Sequence, residues 1–186
     1  MQRVVLPGGL CAAACVWASA VLPPAAAADP GQFPDLSGYT AVDASKYATY
    51  YNYPTSGGVQ FVAPAGYRCR ITYTLKANYG LTQCWGALPA TSANVVTVTR
   101  GPTALTPGAF GTADLAEMDK YRTMGKRDVV DATFGPEAYQ PLPAGSKVSW
   151  DSSGTCGVDD TTTACVMGSA PERHGFVLSA QGSWTF

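Results

Sequence analysis

Only one histidine, His174, occurs in 186 residues. That scarcity excludes histidine-rich zinc sites and any mechanism needing two imidazoles. Charge is sparse too, at 13% of residues, and nearly balanced, with 12 basic against 13 acidic side chains. Nucleic-acid binding needs a basic stripe on a clearly positive domain, so nucleic acid is not an expected partner. Neither a C-x-x-C pair nor a G-x-S-x-G elbow is present. Thioredoxin-like redox chemistry and the nucleophile turn of the α/β-hydrolases are thereby set aside. Beyond Leu22 no run of 18 apolar residues occurs, so no transmembrane span is expected after the N-terminal segment. The chain is still 46% hydrophobic, too much for intrinsic disorder.

What is present begins with a targeting pattern. Arg3 supplies a positive start, and an apolar stretch runs from Leu10 to Leu22. Pro23-Pro24 break it, and Ala26-Ala27-Ala28 offers a small-x-small cleavage site. Residues 1–28 read as a secretory signal peptide, cleaved before Asp29, with a retained anchor as the alternative. Cys11 and Cys15 do not make a lipobox, because Gly8 and Ala12 stand where it needs an aliphatic residue. Cleavage takes Arg3 and leaves 158 residues, with 11 basic against 13 acidic side chains. That is one domain's length, enough to bury a core. The expected location is secreted, extracellular or associated with the cell envelope.

Four cysteines remain: Cys69, Cys84, Cys156 and Cys165. An even count in an exported chain implies disulfides, and four cysteines allow three connectivities. The local pairs Cys69–Cys84 and Cys156–Cys165 are favoured, since each staples neighbouring strands. Their spacings do not suit zinc, and no metal or cofactor is expected.

Residues 29–58 form a Tyr-rich segment, expected to be irregular, with a helical turn near Asp43 to Tyr50. A disulfide-stapled β-rich domain spans residues 59–186. Val59 to Ala63 is a short strand, ended by the turn Pro64-Ala65-Gly66, where Gly66 can take positive φ. Next comes a strict alternation. Tyr67, Cys69, Ile71, Tyr73 and Leu75 share one face; Arg68, Arg70, Thr72, Thr74 and Lys76 share the other. Period two predicts a half-buried antiparallel strand. A turn over residues 77–80 leads into a return strand, Leu81 to Trp85. Asn94 to Arg100 is a strand with Val96 and Val98 inward, and residues 101–111 read as a loop. Nine of the 24 charged residues after the signal peptide fall between Asp114 and Asp131. There Thr112 is expected to cap a helix with the stripe Leu115, Met118 and Tyr121, stopped by Gly125. Ser146 to Asp151, Thr163 to Met167, Gly175 to Ser179 and Ser183 to Phe186 complete the strands. The expected fold is mainly β, an antiparallel sandwich- or barrel-like domain (a trefoil-like body is the variant) with two local disulfides and one short helix. Gly66 to Cys69 echoes Gly154-Thr155-Cys156, but the match is too short to define a repeat.

Two segments carry a family resemblance. FVAPAGYRCRI, Phe61 to Ile71, is followed by QCWGALP, Gln83 to Pro89. Near the end stands GTC…TACVMGSAPERHGFVLSAQGSWTF, Gly154 to Phe186. Together with FPDLSGYTAV, Phe33 to Val42, these resemble small secreted actinobacterial, especially mycobacterial, proteins of unknown function. The family pattern has F-x-[ST]-P-x-G-x-x-C-x-I early and C…C…HGF-x-[LI]-S late. The chain departs from it at Ala63 and across Gly111 to Gly135. The resemblance implies export, disulfides and a β-rich domain, and it brings no catalytic residues.

Chemistry must therefore be sought in surface residues. Tyr50, Tyr51 and Tyr53, with Trp85 in the first disulfide hairpin, can present flat amphipathic rings to saccharides or extended peptides. The plainer alternative is that they pack the N-terminal segment onto the sheet. Arg68 and Arg70 share a strand face with Lys76 and can meet an anionic envelope polymer; the alternative is a solvated face. The expected function is a non-enzymatic extracellular or cell-envelope binding module, with an envelope glycan, lipid or protein as partner. The competing expectation is a small secreted hydrolase using carboxylates such as Asp159 and Asp160, with His174. Asp159-Asp160 followed by Thr161 to Thr163 also suggests a calcium loop, but the EF-hand ligand pattern is missing, and a polar turn is the default.

Overall fold

The computed structural model describes residues 32–51, 53, 55–122, 126, 128–151 and 153–186. The signal-peptide expectation for residues 1–28 lies outside the described residues. Among the described residues, no helix is long and apolar enough to cross a membrane.

The strands in chain order are β1 (Thr40–Ala41), β2 (Ser56–Val62), β3 (Arg68–Thr74), β4 (Tyr79–Trp85), β5 (Val95–Arg100) and β6 (Leu105–Gly111). Helix α1 (Leu115–Met118) and the two-stranded ribbon β7 (Lys120–Arg122) and β8 (Val130–Thr133) follow. The second half holds β9 (Ser146–Trp150), β10 (Gly154–Val158), β11 (Thr162–Ser169), β12 (Glu172–Ser179) and β13 (Trp184–Thr185). Strands β2 to β6 form one antiparallel meander. Strands β9 to β13 form another, to which β1 adds in parallel beside β9. Short strands joined by tight turns leave each sheet with one apolar face, and the two faces meet as a sandwich.

The core lies between the sheets. Register sets Phe61, Cys69, Cys84 and Val96 in one row and Val59, Ile71, Thr82 and Val98 in the next. All eight are fully buried. Val148, Cys156, Cys165 and Phe176 answer them from the other sheet, also buried. Both disulfides form as expected, Cys69–Cys84 and Cys156–Cys165. Each joins directly opposed residues on adjacent antiparallel strands, with Cα atoms 4.0 and 4.1 Å apart. Closely spaced, non-hydrogen-bonded pairs are where a cross-strand disulfide fits. Gly66 takes the expected positive φ, at 91°.

Several expectations need correction. The helix is a single turn, capped by Asp114, whose carboxylate accepts from the Ala116 N–H, and not by Thr112. Tyr121 belongs to β7. So short a helix gains little from its own hydrogen bonds, whereas a buried tyrosine on a strand gains packing. The stretch 101–111 contains strand β6. Pro107 lacks a ladder donor, and the structure accommodates it on an edge strand where the register slips between Thr97 and Thr99. Strand β10 is not marked in the sequence, because Gly154 and Gly157 weaken its alternation. Gly157 serves a close approach: a Cβ there would lie 2.7 Å from Leu36 Cδ2 and 3.2 Å from Tyr39 Cδ1. Leu75 does not continue the inward face of β3. It opens a 3-10 turn, Leu75–Ala77, and is 58% exposed. The Tyr-rich segment is not wholly irregular, since it supplies β1 and the start of β2; the helical turn expected near Asp43 to Tyr50 is present as the 3-10 turn Ala44–Tyr47.

Candidate binding site

The outer face of the β2–β6 sheet carries two rows. Gln60, Arg70 and Gln83 are in register, as are Arg68 and Trp85. In an isolated sheet this face would be wet. Here Met118, Asp119, Tyr121 and Tyr139 lie over it. Arg70 is 8% exposed and Trp85 0%. The solvated-face alternative for Arg68 and Arg70 is therefore corrected, and Trp85 has no ring surface left for a ligand.

The layer is built around Asp119. Arg68 Nε lies 3.3 Å from Asp119 Oδ1, a charge contact without hydrogen-bond geometry. Trp85 Nε1–H and the Tyr139 hydroxyl both donate to that same oxygen, each at 3.3 Å. Arg70 Nη2 donates to the Tyr139 oxygen at 2.9 Å and to the Met118 carbonyl at 3.3 Å. Its guanidinium carbon sits 4.9 Å from the Trp85 ring centre and 4.6 Å from that of Tyr121. The two rings clamp the cation and replace part of its lost hydration. Burial pushes the Tyr139 hydroxyl up to about 12, against the opposing pull of Arg70. This layer is closed, and its chemistry is cohesion.

At its margin the aromatic residues come to the surface. Tyr50 contacts Tyr51, Tyr121 and Phe134, with ring centres 4.9, 5.5 and 5.8 Å apart. Tyr53 stacks on Tyr51 at 6.1 Å with an interplanar angle of 26°. Tyr51 is half-buried, and its hydroxyl donates to the Arg122 carbonyl at 3.0 Å and to the Asp131 carboxylate. Tyr50 and Tyr53 are 47% and 53% exposed. Beside Tyr50 runs a shallow groove of about 200 Å3, lined also by Lys46, Gln60, Phe134 and Gln140 among others. Gln60 also accepts from the Tyr121 hydroxyl. Exposed ring faces beside amides and an ammonium form a surface suited to hydroxyl-rich ligands.

The residues singled out in the sequence thus divide. Tyr51 and Tyr53 stand on the shelf; Arg68, Arg70 and Trp85 form the sealed layer beneath its margin. Nothing in the sequence around Phe134 marks it, because only the β7–β8 ribbon carries it to the tyrosines. The carboxylates and histidine of the hydrolase expectation are not brought together. Asp159 accepts from the N–H groups of Thr161 and Thr162 and from the Tyr39 hydroxyl, as a polar turn should. Asp160 is exposed beside it. Pairing of Thr162 with Ser179, and of Met167 with His174, sets that turn and His174 five residues apart along the sheet. That is roughly 17 Å. Among the described residues, no three of His, Cys, Asp or Glu gather as a metal site. Comparison with protein-family models, with curated proteins and with solved structures finds no match to this chain.

Proposed function

We propose that this chain is an exported, non-enzymatic binding module of the cell envelope or extracellular space, and that the tyrosine shelf takes an envelope saccharide. The observation that carries the reading is the shelf itself: Tyr50 and Tyr53 stay about half exposed inside a contiguous group of five aromatic rings. Fixed rings stack on sugar faces at little entropic cost, because their neighbours already hold them. Gln140 and Lys46 offer donors at the rim of the groove. Export is supported by two buried disulfides together with the signal-peptide pattern of residues 1–28. The motif resemblance to secreted actinobacterial proteins agrees with that reading.

The test is co-sedimentation of the oxidised protein with washed envelope polysaccharide. Saturable binding is expected, weakened about tenfold in Tyr50→Ala/Tyr53→Ala while the thermal midpoint changes little. Equal binding by the double variant would remove the shelf from the function. Release of soluble sugar during the assay would replace the binding module with a hydrolase.

A further inference from the structure

The outer face of the other sheet holds a separate cleft of about 560 Å3. Its roof is the strap of residues 33–37, and its floor is the sheet β9–β12. Ser149, Thr155 and Val166 lie side by side across three strands of that floor. Lys147 is one outward-facing step away along β9, and Arg173 one step from Gly175 on β12, which pairs with Val166. The two cations therefore stand at opposite corners.

Both cations are held in place with donors to spare. Lys147 Nζ donates to the Leu36 carbonyl at 2.7 Å, which leaves two of its three N–H groups. The Arg173 guanidinium carbon lies 5.1 Å from the Phe33 ring centre and 5.8 Å from that of Phe186. Among the described residues Arg173 makes no side-chain hydrogen bond, which leaves its N–H fork for a ligand. Neither cation forms an ion pair with a described carboxylate. Asp35 is the acid at the cleft. The Ser37 N–H and hydroxyl both donate to it and, with a smaller contribution from the Lys147 charge, hold its carboxyl below the usual range. Ser149 Oγ and Thr155 Oγ1 are 2.8 Å apart, a hydroxyl pair at the centre of the floor.

We propose that this cleft binds a polyol phosphate, a phosphate ester on a short hydroxyl-bearing chain, either free or as a lipid head group. Arg173 takes the phosphate through its fork, the geometry that guanidinium and phosphate share. Ser149, Thr155 and the free N–H groups of Lys147 take the hydroxyls. Phe33, Leu36 and Val166 cover the carbon chain. The volume lies in the range of small-molecule sites. The site is independent of the tyrosine shelf, which lies on the other sheet.

Calorimetry on the oxidised protein tests this with glycerol 3-phosphate, glycerol and inorganic phosphate as separate titrants. Vesicles of phosphatidylcholine with and without phosphatidylglycerol form the second arm. Saturable binding of glycerol 3-phosphate is expected, about tenfold tighter than either fragment, with Arg173→Gln weakening it about tenfold and Lys147→Gln about threefold. The fold of each variant is checked by its thermal midpoint. Binding of the soluble ester alone identifies a free ligand; tighter binding to phosphatidylglycerol vesicles, lost in Arg173→Gln, identifies a head group. The proposal is overturned if inorganic phosphate binds as tightly as the ester, if Arg173→Gln and Lys147→Gln bind like the parent, or if neither ester nor vesicle binds.

Discussion

The sandwich has two outer faces, and they are finished differently. Over the β2–β6 sheet, Met118, Asp119, Tyr121 and Tyr139 seal two arginines and a tryptophan beneath a polar and aromatic layer. Over the β9–β13 sheet, the thin strap of residues 33–39 covers only part of the face and leaves a cleft whose two cations form no salt bridge with a described carboxylate. Arginine on an outward strand face is thus no guide to exposure: what arrives from elsewhere in the chain decides. The sealed face uses its charges for cohesion, and the open face keeps its charges available.

The sharpest way to break this contrast is to remove the acid at the centre of the sealed layer. Asp119→Ala leaves Arg68 without its counter-charge and the Trp85 and Tyr139 donors without an acceptor. A loss of about 3–5 kcal/mol is expected in denaturant unfolding, and a far smaller one for Asp35→Ala on the open face. Equal effects at the two positions would erase the distinction.

A smaller effect is expected from the strap. Gly157→Val forces a side chain into the space of Leu36 and Tyr39. It should cost about 1–3 kcal/mol by overpacking, and it should also weaken any ligand of the cleft. An unchanged denaturant midpoint would mean that the strap rests on the sheet without real packing.

The smallest effect is in the alkaline range. Burial raises Tyr139 on the sealed face to about 12, and burial with the nearby Asp159 raises Tyr39 in the strap to about 12, both from 10.0. The native state keeps these protons while the unfolded chain loses them. Their contribution is therefore complete below pH 10 and is lost as pH climbs towards 12. Tyr139→Phe should flatten the alkaline fall in stability by about 1 kcal/mol, and Tyr39→Phe by less, because solvent screens the half-buried strap. A larger change for Tyr39→Phe in pH-dependent unfolding would reverse the assignment of which face is closed.

Legibility followed local pattern. Strands β3 and β5 were readable because a sheet with one buried face writes its alternation into the sequence. Strands β6 and β10 were not, because Pro107 and Gly157 are there for an edge position and a close approach, which are tertiary facts. The α1–β7 boundary failed for the same reason. Leu115, Met118 and Tyr121 have helical spacing, but Tyr121 is drawn into a strand by its contacts with Gln60, Tyr50 and Phe134. In the site, Tyr51 and Tyr53 were legible as a cluster of rings. Phe134 and the strap's cleft were not, since each joins residues distant in sequence.

Period and cysteine spacing are properties of neighbours, so the β class and the alternating strands can be read from them, and the two local disulfides are favoured among three connectivities. Tertiary structure alone decided that Arg70 and Trp85 are sealed while Lys147 and Arg173 remain open. Burial is a property of what packs from far along the chain, and no local pattern records it.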